Sequence, residues 1–282
     1  AYGIIQRIQG VEVSSSTVDL KVNAGMPGRV VSIFDNANTF AEVLLLLLPL
    51  VLALVLCSRH LISKLLAGGI FVMGCVALGM TYSRATWVGF ACALVVFVFL
   101  WKPKLMPAFI LFCCLAVPFL PTTIWNRVLT IFNPADSSTA SRIPLYQAAL
   151  EVIQSRPIRG AGLGTAAPQA YIADWNLYHA DFPYVHSHNF YLEVWIEAGL
   201  LGAASFVASM LWNIKRAAHS ADSPARVITC AAAAALCGSM VCGLADYLWN
   251  YPRVMCIFWF VFAVALAGVK LCDEKKGLDF AG

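Results

Sequence analysis

Long apolar runs, separated by short polar segments, extend along most of the chain. Seven of these runs are roughly 16–23 residues long, which is close to the length that an α-helix needs to cross a bilayer. The pattern therefore predicts an all-α fold: a polytopic transmembrane helical bundle with a partly helical extracytoplasmic loop domain. The predicted spans are Phe40–Leu56, Leu65–Thr81, Thr86–Trp101, Leu105–Leu120, Phe190–Trp212, Val227–Leu248 and Val254–Leu271.

The composition supports this class of protein. Hydrophobic residues make up 60% of the chain and charged residues 12%, which is far from the composition of a soluble domain. The net charge of +4 gives no sign of a nucleic-acid partner. The 10 cysteines lie in the predicted spans or at their inner ends, without CxxC spacing. We therefore expect buried thiols rather than disulfides or a cysteine metal site.

The positive-inside rule orients the bundle, because lysine and arginine cluster in alternate connections. These clusters, which we place in the cytoplasm, comprise Arg59, Lys64, Lys102, Lys104, Lys215, Arg216, Arg226, Lys270, Lys275 and Lys276. The segments left outside are then residues 1–39, the turn at Ser83 and Arg84, residues 121–189 and the turn at residues 250–253.

Three regions follow from this topology. Residues 1–120 hold an outer segment and the first four spans, and residues 190–282 hold the last three spans and a cytoplasmic tail. Residues 121–189 form a long extracytoplasmic loop, which we expect to be catalytic. Because the chain begins outside, without Met or a signal-peptide pattern, we expect that further spans precede it.

Arginine and lysine divide between the two predicted sides. Lysine predominates inside, whereas Lys21 is the only outer lysine beside Arg7, Arg29, Arg84, Arg127, Arg142, Arg156, Arg159 and Arg253. The planar guanidinium suits bidentate recognition of phosphate. The set therefore predicts a phosphorylated ligand at the outer face. For any single arginine, contact with lipid headgroups or a local salt bridge is the alternative.

The long outer loop has internal structure. The stretch "ASRIPLYQAALEVIQSRP" places apolar residues at helical spacing, and Pro157 ends the predicted amphipathic helix. The sequence "GAGLG" at residues 160–164 follows. Its glycines allow either a flexible turn or close approach of the backbone to a ligand. No GK[ST] completes a phosphate-binding loop.

Two histidines stand at the mouth of the fifth predicted span, in "YVHSHNFYLEVWIEAGLLG". The imidazole of His186 or His188 titrates near neutral pH, so a general base is the most economical role. A zinc site built from His186, His188 and Asp181 is an alternative, but His-x-His alone is weak support for it.

The histidine segment also resembles a known family. His188 and Asn189, nine further residues, and then Gly199-Leu200-Leu201-Gly202 are similar to the motif of the O-antigen ligase family, which includes Wzy-type polymerases. The stretches "GRVVSIFDNANTFAE" (28–42), "TYSRATWVG" (81–89) and "SRIPLYQAALEVIQSRPIRGAGLG" (141–164) resemble other parts of the family in the same order. One departure is Ala85, where many relatives carry glycine.

This resemblance implies a membrane glycosyltransferase with a polyprenyl-diphosphate-linked glycan as donor, such as one on undecaprenyl diphosphate. The acceptor would be a glycolipid or a polysaccharide, and the family implies neither a cofactor nor a metal. Such an enzyme lies in the cell membrane with its site on the extracytoplasmic face. We favour a ligase; a polymerase of the same family and a transporter of lipid-linked saccharide are the alternatives.

The family motif also implies roles for individual residues. His188 would be the general base, with His186 supporting or sharing that role. Arg142 and Arg84 would bind the diphosphate and stabilise the charge of the leaving group, and Arg29 is a third candidate. Asn189 would orient His188 or bind a sugar hydroxyl.

The two glycines of the motif have a structural interpretation instead. Gly199 and Gly202 stand close together on the fifth predicted span. Small residues at such spacing allow close packing of helices in a membrane. We therefore expect them to contact another helix rather than substrate.

Overall fold

A computed structural model describes residues 1–11, 27–132 and 140–279, and this part of the chain is helical without a β-strand. The predicted all-α class is confirmed. The helices are α1 (Tyr2–Gln9), α2 (Ala37–Cys57), α3 (Leu61–Met80), α4 (Arg84–Trp101), α5 (Met106–Ala116), α6 (Thr122–Leu129), α7 (Arg142–Ser155), α8 (Ala166–Asp174), α9 (Phe190–Ala218), α10 (Arg226–Cys242) and α11 (Pro252–Asp279). Short 3-10 turns occupy Pro103–Leu105, Val117–Phe119, Thr130–Phe132 and Leu248–Asn250. Lys21 and the side chains of Lys275 and Lys276 lie outside what the structure describes.

Five of the predicted spans are confirmed as helices of membrane-crossing length and hydropathy: α2, α3, α4, α9 and α11. The shortest of them, α4, has 18 residues, which corresponds to about 27 Å along the helix axis. That length is close to the hydrocarbon thickness of a bilayer. Together these helices indicate a multi-pass membrane protein.

The fourth predicted span, Leu105–Leu120, is not one straight helix. The segment Pro103–Phe119 turns by 111° into α6. Pro118 lies in the 3-10 turn and Pro121 caps α6, and proline cannot donate a backbone hydrogen bond to continue a helix. The bend lies at the C-terminal end of the predicted span and these prolines are its physical reason, so the span itself stays a prediction.

The sixth predicted span is shorter than expected and lies at the centre of the bundle. Helix α10 ends at Cys242 instead of Leu248 and has 17 residues. Its small residues allow close packing: a Cβ atom added to Gly89 of α4 would lie only 2.6 Å from the carbonyl oxygen of Gly238. Helix α10 packs against α2, α4 and α11, so the alanine run at residues 231–235 is completely buried.

The connections separate into two ends, as the predicted alternation requires. At one end, Arg29 Nε donates to Thr81 O over 2.7 Å and Asn38 Nδ2 donates to Asp246 Oδ2 over 2.9 Å. We call this the cavity end. At the opposite end, Arg226 Nη2 donates to Leu100 O over 3.3 Å. His188 contacts Asp246 and Lys102 follows α4, so these two residues lie at opposite ends.

A helical cap covers part of the cavity end. Helices α7 and α8 share an apolar core with the first part of α9, formed by Ala148, Ala149, Val152, Ile172 and Ile196. The amphipathic helix predicted before Pro157 is thus observed as α7, with Leu145 and Val152 buried. The cap places the loop at residues 157–164 against α9.

Helix α9 breaks where this loop meets it. Gly199 has φ 70° and ψ −177°, a conformation that divides the helix into two parts. The loop supplies the missing partners: Ala161 N donates to Ile196 O over 2.6 Å, and Leu200 N donates to Pro157 O over 2.9 Å. A Cβ atom at Gly199 would collide with Ile158 O. Gly199 therefore packs against a loop rather than against another helix. The helix contact that we expected from its spacing to Gly202 was wrong for Gly199.

Candidate active site

The histidine segment is held in place by the residue that begins α9. Asn189 is the N-cap, and its Oδ1 accepts the backbone N–H groups of Tyr191 and Leu192, each over 3.0 Å. Its Nδ2 donates to Leu244 O over 3.1 Å. Asn189 thus anchors the backbone beside His188. A role for Asn189 in orienting the His188 ring stays a prediction.

His188 and Asp246 form a hydrogen-bonded pair. His188 has a left-handed backbone with φ 49°, which is uncommon for a residue other than glycine. This turn places its Nδ1 3.0 Å from Asp246 Oδ1. With Nδ1–H donating to the carboxylate, Nε2 carries the lone pair. The His188 side chain is 34% exposed.

The Asp246 carboxylate is buried and strongly hydrogen-bonded. The residue is 5% exposed and also accepts Tyr247 N over 2.9 Å and Asn38 Nδ2 over 2.9 Å. Burial by itself raises the pKa of Asp246. The hydrogen bond to His188, the charges that His188 and His186 carry when they are protonated, and the charge of Arg142 outweigh that effect and hold the pKa below its usual range. The carboxylate is therefore negatively charged at neutral pH.

Asn38 connects this pair to Arg29. The Asn38 Oδ1 accepts Arg29 Nη2, while Arg29 Nε donates to Thr81 O. Burial, followed by the charge of Arg127, lowers the pKa of Arg29 to about 10, which leaves the guanidinium protonated at neutral pH. The chain of contacts from Arg29 through Asn38 and Asp246 to His188 joins segments that are distant in sequence.

The arginines surround one cavity of about 280 Å³. Its charged lining consists of Arg29, Arg84, Arg127, Arg142 and Asp246. Four positive charges face one negative charge, so the cavity favours an anion. Apolar side chains complete the wall: Ala85, Val88, Ile131, Val241 and Leu244. The cavity thus offers both charged and apolar surface to one ligand.

Individual arginines are held in different ways. Arg84, at the start of α4, donates from Nη1 to Thr130 O over 2.7 Å and to Thr130 Oγ1 over 3.1 Å. Arg127 is 5% exposed. Arg142, at the start of α7, has a buried Nε without a hydrogen-bond partner among the described residues. Buried guanidinium donors around a cavity suit a phosphate ligand, which accepts several charge-assisted hydrogen bonds.

His186 has a supporting position beside His188. It is 6% exposed, and its Nδ1 accepts the backbone N–H of His188 over 3.1 Å. Burial, and then the charge of His188, lower the pKa of His186 to about 4, so this ring is neutral at pH 7. The sequence left open whether His186 supports His188 or shares its role as general base. This geometry favours a supporting role for His186.

The structure changes the set of candidate metal ligands. The ligand atoms of His186, His188 and Asp246 lie within 4.8 Å of one another, whereas Asp181, the third ligand expected from the sequence, is exposed and outside this group. A cation bound through Nδ1 of His186 or His188 would displace the hydrogen bond that this atom makes. The arginines of the neighbouring cavity also repel a cation.

Three residues of this site were not selected by the sequence reasoning. No role was predicted for Asp246, and Arg127 was noted only as one of the outer arginines. Asn38 lies in the Phe-x-Asn-x-Asn pattern that carried part of the resemblance. The pattern was a signal for Asn38, but nothing in the sequence links Asn38 to Asp246. The predicted roles of the other site residues stay predictions.

Comparison with known proteins assigns part of the chain to a family. Residues 69–207 match the family described as O-Antigen ligase. A search of curated proteins and a search of solved structures each found no match. The matched range includes Arg84, Arg142 and His188. Arg29 and Asp246 lie on either side of it, and the fold brings both to the cavity end.

Proposed function

We propose that this chain, whose residues 69–207 match the O-antigen ligase family, transfers a glycan from a polyprenyl-diphosphate-linked donor to an acceptor hydroxyl. The reaction would take place at the cavity end, which the charge distribution assigns to the extracytoplasmic face of the cell membrane. One observation carries the proposal. Four arginines line a cavity whose acid, Asp246, is hydrogen-bonded to His188.

His188 is the general base in this proposal. Its Nε2 takes the proton of the acceptor hydroxyl as that oxygen bonds to the anomeric carbon of the donor. Asp246 accepts Nδ1–H, which keeps the ring in the correct tautomer and stabilises the imidazolium that forms. The same division of labour operates between histidine and aspartate in catalytic triads. The proton is later lost from Nε2 to water.

The arginines act on the leaving group. As the bond between the anomeric carbon and the diphosphate oxygen breaks, its electron pair leaves with the polyprenyl diphosphate. Arg84, Arg142 and Arg29 neutralise this developing charge, and Arg127 joins them as a fourth cation around the cavity. Fixed cations placed where charge develops are an efficient form of catalysis, because they need no reorganisation during the reaction.

This arrangement favours a single displacement. Retaining glycosyl transfer by carboxylates needs a nucleophile that bonds to the anomeric carbon. Among the described residues that line the cavity, Asp246 is the only carboxylate, and His188, Asn38 and Tyr247 occupy its oxygens. Direct attack by the acceptor should therefore invert the configuration at the anomeric carbon.

Glycan transfer by the purified full chain in nanodiscs tests the proposal. The assay supplies a synthetic polyprenyl-diphosphate-linked oligosaccharide with either a glycolipid acceptor or a second donor molecule. Transfer to the glycolipid supports a ligase, and elongation on the second donor supports a polymerase. Product from wild-type protein should be inverted at the new linkage, and Asp246→Asn should form it much more slowly but still measurably. No product with either acceptor, or a retained linkage, would contradict the proposed reaction.

A chelator provides a separate control for the metal alternative. Activity should survive an excess of EDTA, because the proposed steps use only side chains and substrate. Loss of transfer with EDTA, followed by recovery with zinc, would establish the zinc site instead.

A further inference from the structure

Glu197 connects three separate parts of the cavity end. It lies on α9, two residues before the break at Gly199. Its Oε1 accepts the hydroxyl of Tyr247 over 2.8 Å, and its Oε2 accepts the backbone N–H of Gly164 over 3.0 Å. Its backbone carbonyl accepts Gly162 N over 3.2 Å. Glu197 thus binds the glycine-rich loop with two groups and Tyr247 with a third.

The position of Glu197 depends on the break in α9. In an unbroken helix, its carbonyl would accept the N–H group four residues later. Gly199 interrupts that pattern, and the loop at residues 160–164 takes over. Gly160 allows this contact, because a Cβ atom there would lie 2.7 Å from Ile196 O and 2.8 Å from Glu197 O. The loop and the Glu197 backbone are therefore fixed relative to each other.

Tyr247 continues the connection to the histidine pair. The side chain of Tyr247 is buried, with the residue 4% exposed, and its ring packs against His186 and Phe190 with centroid distances of 5.8 Å in both cases. Its backbone N–H donates to Asp246 Oδ1 over 2.9 Å. This is the same oxygen that faces His188 Nδ1. Burial and the charge of Glu197 raise the pKa of Tyr247 above its usual range, so the phenol stays protonated and donates.

We propose that Glu197 and Tyr247 are positioning residues that lock the Asp246 carboxylate, and hence His188, to the glycine-rich loop of the cap. This inference rests on the proposed function, since the carboxylate matters to catalysis only if His188 is the base. Neither Glu197 nor Tyr247 lines the arginine cavity. Their effect should therefore be on turnover rather than on donor binding.

The first test separates turnover from binding in the purified full chain. Tyr247→Phe removes the hydroxyl, and kcat for glycan transfer should fall roughly fivefold to tenfold, as expected for one lost hydrogen bond. The KM for the donor should stay unchanged. Tyr191→Phe is the matched control, because that hydroxyl donates to Met240 O over 2.9 Å and has no contact with Asp246. A raised KM at unchanged kcat would overturn the proposal.

Variants of Glu197 test the two contacts separately. Glu197→Ala removes both side-chain acceptors and should lower kcat at least as much as Tyr247→Phe. Glu197→Gln keeps one carbonyl oxygen for the Tyr247 hydroxyl and should retain most of the activity. In an Asp246→Asn background, Tyr247→Phe should cause no additional loss, because its effect is transmitted through that carboxylate. A further loss there would mean that Tyr247 acts elsewhere.

Hydrogen–deuterium exchange gives a readout that does not need activity. Glu197→Ala should speed exchange of the Gly164 and Tyr247 amides, and Tyr191→Phe should leave both unchanged. If wild-type protein transfers no glycan, the proposed function fails, while exchange still decides whether Glu197 locks these segments. Unchanged exchange in Glu197→Ala would overturn the positioning role whatever the activity.

Discussion

Arginine serves different purposes at the two ends of the bundle. At the cavity end, Arg29 and Arg84 donate to main-chain carbonyls and face the same cavity as Arg142. At the opposite end, Arg216 pairs with Asp273 over 2.6 Å, with side chains that are 46% and 48% exposed. Lys270 pairs with Glu274 at an even more exposed position. The arginines that line the cavity form a fixed interior, whereas these two ion pairs at the opposite end are exposed to solvent.

The contrast shows that position in the fold, rather than residue type, determines what a cation can do. Exposed ion pairs contribute little, because water competes for both partners. Arg29 and Arg84 are each anchored by a main-chain carbonyl of another residue, so their position at the cavity needs no further ordering.

The largest effect is expected from His188→Ala. Loss of a general base lowers turnover by typically 10²–10⁴-fold, whereas donor binding should be retained because the arginines are intact. His219→Ala is the matched control: this exposed histidine lies at the opposite end, with Nδ1 2.8 Å from Lys215 O. Single-turnover transfer and equilibrium donor binding measure the two effects. Full transfer by the His188 variant would exclude it as the base.

Arg142→Lys should weaken donor binding by roughly tenfold or more, because lysine keeps the charge but loses the planar fork. Arg216→Lys changes the same residue type at the opposite end and should leave the dissociation constant unchanged. Titration with the polyprenyl-diphosphate donor in nanodiscs measures both. Equal affinities for the two variants would remove the distinction between the ends.

Gly199→Ala should destabilise the protein by about 1–3 kcal/mol, because its φ of 70° suits glycine and the new Cβ atom meets the loop backbone. Gly68→Ala in α3 is the control, since nothing lies within 4 Å of a Cβ atom there. That change should be neutral or slightly stabilising, as alanine favours helix. Thermal unfolding in detergent compares them. A Gly199 variant as stable as wild type would show that the break is not needed.

His186 should make the free energy of unfolding depend on pH. Its pKa falls to about 4 on folding, so the unfolded chain binds a proton that the folded chain does not between about pH 6.5 and pH 4. The free energy of unfolding should therefore drop as pH falls through this window, by about 3 kcal/mol at most. Chemical unfolding at several pH values should show this slope in wild type and lose it in His186→Asn.

The sequence alone predicted those parts of the fold that depend on local composition. Apolar length predicted α2, α3, α4, α9 and α11, because a bilayer demands a fixed number of consecutive apolar residues. The alternation of charge predicted which connections share an end. The break after α5 was also encoded locally, by Pro118 and Pro121, but hydropathy alone does not detect it.

The parts of the site that escaped prediction depend on contacts between distant residues. Asn38 and Asp246 are 208 positions apart and meet through one hydrogen bond. The spacing of Gly199 and Gly202 suggested a contact with another helix. That spacing carries no information about the loop that packs against Gly199 in the structure. The resemblance identified His188 and three arginines as candidates, but only the fold shows that the arginines line one cavity with Asp246 and that Asp246 contacts His188.

The break in α9 also has a consequence for how the chain is made. Helix α9 must enter the bilayer as a segment whose carbonyls at Ile196 and Glu197 need partners from residues 161 and 162, because lipid offers none. Those partners are synthesised first, so the loop has left the ribosome before the span that needs it. Order of synthesis thus lets the span bend during insertion without leaving main-chain groups exposed to the acyl chains.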